Sequence, residues 1–174
     1  MYALMYTDPI DSSIPDDLGT QSGLQVSPDF FRKTIKPRLK KYTDLIRTHA
    51  PKTSIHMHSC GCIECILEDL IEIGIDVIHP VQVSARDMNP ELLKKKYGDE
   101  LCFWGGIDTQ SILPKGKPEE VEKEVEHIVS TLGKNRGYVL GAVHNIQPDV
   151  PPENIVAMYR HGKKYSTEFY RVDR

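Results

Sequence analysis

Four short apolar runs, centred near Ile55, Val77, Phe103 and Val139, are each followed by a stretch of helical periodicity. This serial order constrains the chain more than any other feature. A strand, a helix and a second strand in succession return the backbone in its original direction, so the pattern predicts a parallel sheet with helices packed outside it. A first strand near Asp16–Gly19 brings the total to about five β/α units, an α/β fold. A complete eight-unit barrel takes ~250 residues. With 174 residues, the chain is either an open parallel sheet or a partial barrel.

The intervening helices carry their own signals. Ser27-Pro28 is a cap followed by a first-turn proline, and Phe31, Ile35, Leu39, Tyr42 and Ile46 form one apolar stripe. Pro37 lies inside that stripe and predicts a kink or break near Lys36. Ile63, Ile66, Leu67, Leu70 and Ile71 form the next face, closed by Gly74. Pro90–Tyr97 is a brief helix ending at Gly98. Pro118 opens a helix with Val121, Val125, Ile128, Val129 and Leu132 on one side, and Pro152 opens the last, with Ile155, Val156 and Tyr159. Residues 1–15, rich in turn formers such as Asp8-Pro9 and Asp11-Ser12-Ser13, are expected to be irregular. The domain is expected over 16–162, with Lys163–Arg174 as a tail without periodicity.

Composition narrows the function classes. A net charge of −3 gives no electrostatic footprint for nucleic acid or an anionic membrane. The basic clusters Arg32–Lys41 and Lys94–Lys96 fall on predicted helices and read as solvated faces. No run approaches the ~20 apolar residues of a membrane span, and Met1–Tyr6 lacks the basic flank and cleavage site of a signal peptide. No glycine-rich nucleotide-binding fingerprint or phosphate loop occurs. Of the four cysteines, Cys60, Cys62 and Cys65 are packed within six positions, a spacing that suits metal or thiol chemistry in a reducing compartment rather than a disulfide framework. Cytoplasmic residence is expected.

The stretch Ser54-Ile55-His56-Met57-His58-Ser59-Cys60-Gly61-Cys62 carries the richest chemistry. Alternation along a strand places His56, His58 and Cys60 on one side and Ile55 and Met57 on the other. An imidazole and a thiolate two residues apart suit zinc, and a catalytic zinc site needs three protein ligands with a fourth position open. His56, Cys62, Cys65, His79 and His144 are candidates to complete the set. Packed cysteines and core histidines are the plain alternative. Cys62 and Cys65, at the start of a helix, are placed where exposed N–H groups stabilise a thiolate. The other strand ends offer further groups: Asp17; Gln82; Gly106 and Asp108 in a glycine turn; and His144 and Gln147 after the last strand. In a parallel sheet these converge on one mouth. Asp108 is also a natural helix cap.

Four stretches, Asp16-Asp17-Leu18-Gly19-Thr20-Gln21-Ser22-Gly23-Leu24, His58-Ser59-Cys60-Gly61, Phe103-Trp104-Gly105-Gly106-Ile107-Asp108-Thr109-Gln110 and His144-Asn145-Ile146-Gln147-Pro148-Asp149-Val150-Pro151-Pro152-Glu153-Asn154-Ile155, occur in this order. Together they resemble the C-terminal half of the uroporphyrinogen decarboxylase superfamily. The resemblance implies a partial (β/α)8 barrel and two alternative chemistries. Cobamide-dependent methyltransferases of the superfamily hold zinc with a His-x-Cys pair and a later cysteine. His58 and Cys60 match the pair, and His144 stands where the later cysteine would be, so the expected metal ligands are His58, Cys60 and His144. The expected activity is methyl transfer from a methylated corrinoid on a partner protein to a thiol-type acceptor. His144 and Asp108 are the expected catalytic residues, with substrate contacts from Asp17, Gln21, Gln82, Gly106 and Gln147. The alternative is metal-free decarboxylation of a tetrapyrrole, in porphyrin biosynthesis, with His144 touching substrate. A third possibility is a non-catalytic or split half-barrel subunit. Five β/α units leave two sheet edges and an apolar interior uncovered, so a homo-oligomer or a separate N-terminal half-barrel chain is expected as partner.

Overall fold

The computed structural model describes residues 11–172. Five strands, β1 (Asp11–Pro15), β2 (Ser54–His58), β3 (Val77–Val81), β4 (Cys102–Ile107) and β5 (Tyr138–Ala142), form one sheet in the order β1-β2-β3-β4-β5. Every neighbouring pair is parallel. Right-handed crossovers that always step the same way put all helices on one face, as in a barrel; a doubly wound sheet needs a reversal of strand order. The chain is thus a partial barrel of five β/α units.

The first strand begins five residues earlier than expected. Asp11–Pro15 pairs with β2, from Asp11 opposite Ser54 to Pro15 opposite His58, and the Asp16–Gly19 stretch is the loop that follows. The expected irregular segment therefore ends in a strand, while residues 1–10 lie outside the described residues. Ser-Ser and Pro disguise this strand locally, yet β1 is an edge, where proline is tolerated.

The first connection is a continuous helical path: α1 (Pro28–Phe30), a π-helical turn (Phe31–Ile35) and α2 (Lys36–His49). Ser27 caps it, its Oγ accepting from Phe30 N–H at 3.2 Å. The kink expected at Pro37 takes the form of that widened turn, because proline has no N–H for the preceding turn and its ring needs room there. A short 3-10 turn (Glu64–Ile66) leads into α3 (Leu67–Glu72), and Gly74, at φ +89°, reverses the chain into β3. The remaining helices are α4 (Pro90–Tyr97), α5 (Ile112–Lys115), α6 (Pro118–Leu132) and α7 (Pro152–Val172). The predicted α6 stripe is wholly buried. Helix α7 runs through most of the segment expected as a tail, with His161, Tyr165 and Phe169 stacked at four-residue spacing.

The two faces of the sheet differ. Ile55, Met57, Ile78 and Phe103 are each 0% exposed against the helices. His56, His58, His79 and Trp104 point the other way and are half-buried.

Candidate metal centre

The carboxyl end of β2 and the loop after β1 are bound to each other atom by atom. His58 C=O accepts from Asp16 N–H at 3.0 Å, and Thr20 C=O accepts from Cys62 N–H at 2.7 Å. Ser59, fully buried, accepts from Leu18 N–H at 2.9 Å through Oγ. The approach is close enough to require glycine on both sides. A Cβ on Gly19 would lie 2.5 Å from Cys60 O, and one on Gly61, which sits at φ +83°, would lie 2.5 Å from Thr20 O.

This clasp brings three side chains together. Asp17, His58 and Cys60 each offer a donor atom, all within 4.8 Å of one another. His58 Nε2 lies 3.7 Å from Asp17 Oδ1 and 4.0 Å from Cys60 Sγ, while Asp17 Oδ1 also accepts from Cys60 N–H at 2.9 Å. Tetrahedral zinc with bonds of about 2.0–2.3 Å separates its ligand atoms by roughly 3.3–3.8 Å. Small side-chain adjustments reach that spacing, so the donor set fits zinc in kind and in size. The site is open: Asp17 and His58 side chains are 57% and 32% exposed. Burial, and then the charge and hydrogen bond of Asp17, push the Cys60 thiol above its ordinary value.

Behind His58 stands His79, its register partner on β3. Their Nδ1 atoms are 2.9 Å apart. His79 leans on the Trp104 ring, centroids 4.5 Å apart, and burial, His58 and His56 together lower its pKa to about 4.

The other expected site residues fall into distinct places. His144, expected as the third ligand, is exposed on the loop after β5 and is not among the donors that converge; Asp17 is. The sheet order explains the difference, since β5 is three strand spacings, about 14 Å along the sheet, from β2. Gln82 is buried, and its Oε1 accepts from Gly61 N–H at 2.8 Å, so it holds the loop that carries Cys60. Asp108 is buried, its Oδ2 accepting from Ser111 N–H at 2.8 Å at the head of α5, and its Oδ1 is enclosed without a hydrogen-bond partner. Gly106 serves packing, because a Cβ there would meet Ile128 at 2.9 Å. Gln21 and Gln147 are exposed, Gln147 Nε2 donating to Asn145 C=O at 3.1 Å. Cys62 is buried and Cys65 exposed, and neither joins the donors. Their thiols are raised, first by burial, which corrects the expectation of stabilised thiolates: a 3-10 turn of three residues offers too little aligned backbone to offset the desolvation.

The sequence matches a known family over most of its length. The model for uroporphyrinogen decarboxylase matches residues 13–165, and the chain belongs to this family. A uroporphyrinogen decarboxylase of Chlorobium phaeobacteroides is 25% identical over 148 residues, which are 83% of this chain and 40% of that protein. That of Pseudoalteromonas atlantica is 32% identical over 45% of this chain and 21% of its own length. Among solved structures, a methyltransferase from Methanosarcina mazei superposes with a TM-score of 0.69 at 22% identity, covering 88% of this chain and 41% of that one. The chain therefore spans about two fifths of the length of such relatives, and the likeness to the methyltransferase is one of fold.

Proposed function

We propose that Asp17, His58 and Cys60 hold a zinc ion and that the site serves methyl transfer from a methylated corrinoid, carried by a partner protein, to a thiol-type acceptor. What supports this reading is the convergence of a carboxylate, an imidazole nitrogen and a thiol within 4.8 Å at the carboxyl ends of parallel strands. Zinc bound by such donors supplies a Lewis acid that keeps an acceptor thiol as its thiolate at neutral pH. Asp17 and Cys60 bring the negative charge that a dication requires, and His58 brings a neutral donor. Their exposed outer side leaves a position for the acceptor. His144, Gln21 and Gln147, all exposed, are the groups of this chain that meet substrate, while Gln82 and Asp108 hold the loops in place. Cytoplasmic residence is consistent with four free cysteines, and no described helix is long and apolar enough to cross a membrane.

Decarboxylation of a tetrapyrrole is the second reading, favoured by the name shared by the curated relatives; it needs no metal and assigns His144 to the substrate. Exposed apolar side chains at the two sheet edges, Tyr42 and Leu45 beside β1, Val139 on β5 and Tyr159 near it, support a chain that works covered by further polypeptide, a second copy or a separate half-barrel. Mass measurement in solution tests that cover, and a stable bare monomer speaks against it. Metal analysis tests the main reading. We expect about one zinc per chain, lost in His58→Ala. A chain that contains none, and gains none when Zn²⁺ is added, removes the zinc reading and leaves decarboxylation and a non-catalytic half-barrel.

A further inference from the structure

We propose that His79 is a positioning residue for the metal centre: by accepting a hydrogen bond from His58 it fixes the tautomer of that ligand and aims its Nε2 at the metal position. The inference rests on the reading of Asp17, His58 and Cys60 as a zinc site and adds the group that prepares the imidazole.

The two nitrogens of His58 have different surroundings. Nε2 faces Asp17 Oδ1 at 3.7 Å and Cys60 Sγ at 4.0 Å. Nδ1 faces away, against Nδ1 of His79 at 2.9 Å. A contact that short between two ring nitrogens holds one hydrogen, carried by one partner. If His79 donated it, a neutral His58 would carry its own hydrogen on Nε2, pointed into the donor cluster, with no lone pair there for a cation. If His58 donates it, Nε2 is bare and the three donors all present lone pairs to one position. Metal-bound imidazoles depend on such a partner at the second nitrogen.

The fold holds the acceptor where this requires it. The register of β2 and β3 sets His58 opposite His79, and Ser59 N–H donates to His79 C=O at 2.8 Å. On its other side the His79 ring rests on Trp104, tilted by 52° at 4.5 Å, and meets His56 edge-on at 6.2 Å. A half-turn of the His79 ring would keep the Trp104 contact but set a carbon against His58 Nδ1, so the 2.9 Å nitrogen–nitrogen contact defines which edge of the ring faces the ligand. His79 is also not a donor of the cluster itself, which comprises Asp17, His58 and Cys60.

Two substitutions of similar shape separate the acceptor from the bulk. In His79→Asn the amide oxygen occupies nearly the place of the ring Nδ1 and still accepts; in His79→Leu nothing accepts. Zn²⁺ affinity is measured for both by competition with a chromogenic chelator, and the His58 nitrogens are assigned in zinc-loaded wild type by long-range proton–nitrogen correlation. The expected result is a protonated Nδ1 and a zinc-bound Nε2 on His58, an affinity about 10- to 100-fold weaker in His79→Leu, and recovery of most of it in His79→Asn. Wild-type affinity in His79→Leu, or zinc on the Nδ1 of His58, would overturn the role of His79 while leaving the zinc site intact. A wild type that takes up no zinc would instead remove the site and the inference with it. Should His79→Leu lose its helical circular dichroism, the Asn variant and the nitrogen assignment decide the matter.

Discussion

The two faces of the five-stranded sheet are made by alternate residues of the same strands, yet they obey different rules. On the helix side, Ile55, Met57, Ile78 and Phe103 are each 0% exposed, and what matters there is volume and the exclusion of polar atoms. On the other side, His56, His58, His79 and Trp104 stay half-buried and meet ring to ring, with His56 and Trp104 centroids 5.5 Å apart. One face stabilises the fold and the other leads to the donors at the strand ends. The period of two lets one be changed while the other is left in place.

The largest expected effect tests that separation from the helix side. Phe103→Ala empties a fully buried ring site and should cost about 3–5 kcal/mol in denaturant unfolding, with the zinc bound per folded molecule unchanged. Zinc lost under conditions where the variant is still folded would break the comparison. From the other side, Cys60→Ser should weaken zinc by at least the roughly 100-fold that loss of a mere supporting partner can reach. Its unfolding free energy in the metal-free protein should move by less than about 1 kcal/mol. A large loss of metal-free stability would mean that Cys60 belongs to the core rather than to the site.

The helix-facing half of this contrast was legible in the sequence, and the site only in part. Alternation in Ile55-His56-Met57-His58 assigns each side chain to its face, and the order of strands and helices predicts the parallel sheet. The β1 strand is hidden because an edge strand of Asp-Ser-Ser-Ile-Pro satisfies a turn pattern equally well, so periodicity alone does not show that Asp17 lies in the loop that meets the end of β2. No local pattern reports that Asp17 and Cys60, 43 positions apart, share a hydrogen bond; Gly19 and Gly61 were the available hint, since both permit close backbone approach. The pairing of His58 with His79 depends on inter-strand register, which sequence periodicity leaves free. The tail of α7 did carry a signal, with His161, Tyr165 and Phe169 each four residues apart.

Gln82 sharpens the comparison because it joins the two halves. Its side chain is buried, yet its Oε1 accepts from Gly61 N–H at 2.8 Å, next to Cys60. Gln82→Leu keeps the bulk and leaves that N–H unpaired, which should cost about 1–3 kcal/mol and weaken zinc together with stability. A variant that loses stability alone would show that the loop keeps its shape without Gln82, and that the two faces are even more independent than the structure implies.

The smallest effect is electrostatic and belongs to the helix layer. Asp69 on α3 accepts from Lys36 Nζ at 2.8 Å and from Arg32 Nε at 2.9 Å. Burial alone would raise its carboxyl, but the hydrogen bonds from Lys36 and Arg32 outweigh it and hold the pKa below the ordinary value. A carboxylate depressed in the folded state stabilises fully above its unfolded pKa, about 3.9, and progressively less as pH falls toward the folded value. Metal-free wild type should therefore lose stability on acidification below about pH 4–5 more steeply than Asp69→Asn, which has no carboxylate to protonate. Working without zinc matters, because metal binding is itself pH-dependent and would otherwise mix the chemistry of one face with the stability of the other. Added salt should narrow the gap between the two curves, since Arg32 reaches Asp69 from the solvent side, where ions screen the pair. Parallel curves at low salt would mean that Asp69 contributes packing alone and that its ion pairs add nothing to the hold of the π-helical turn and α2 on α3.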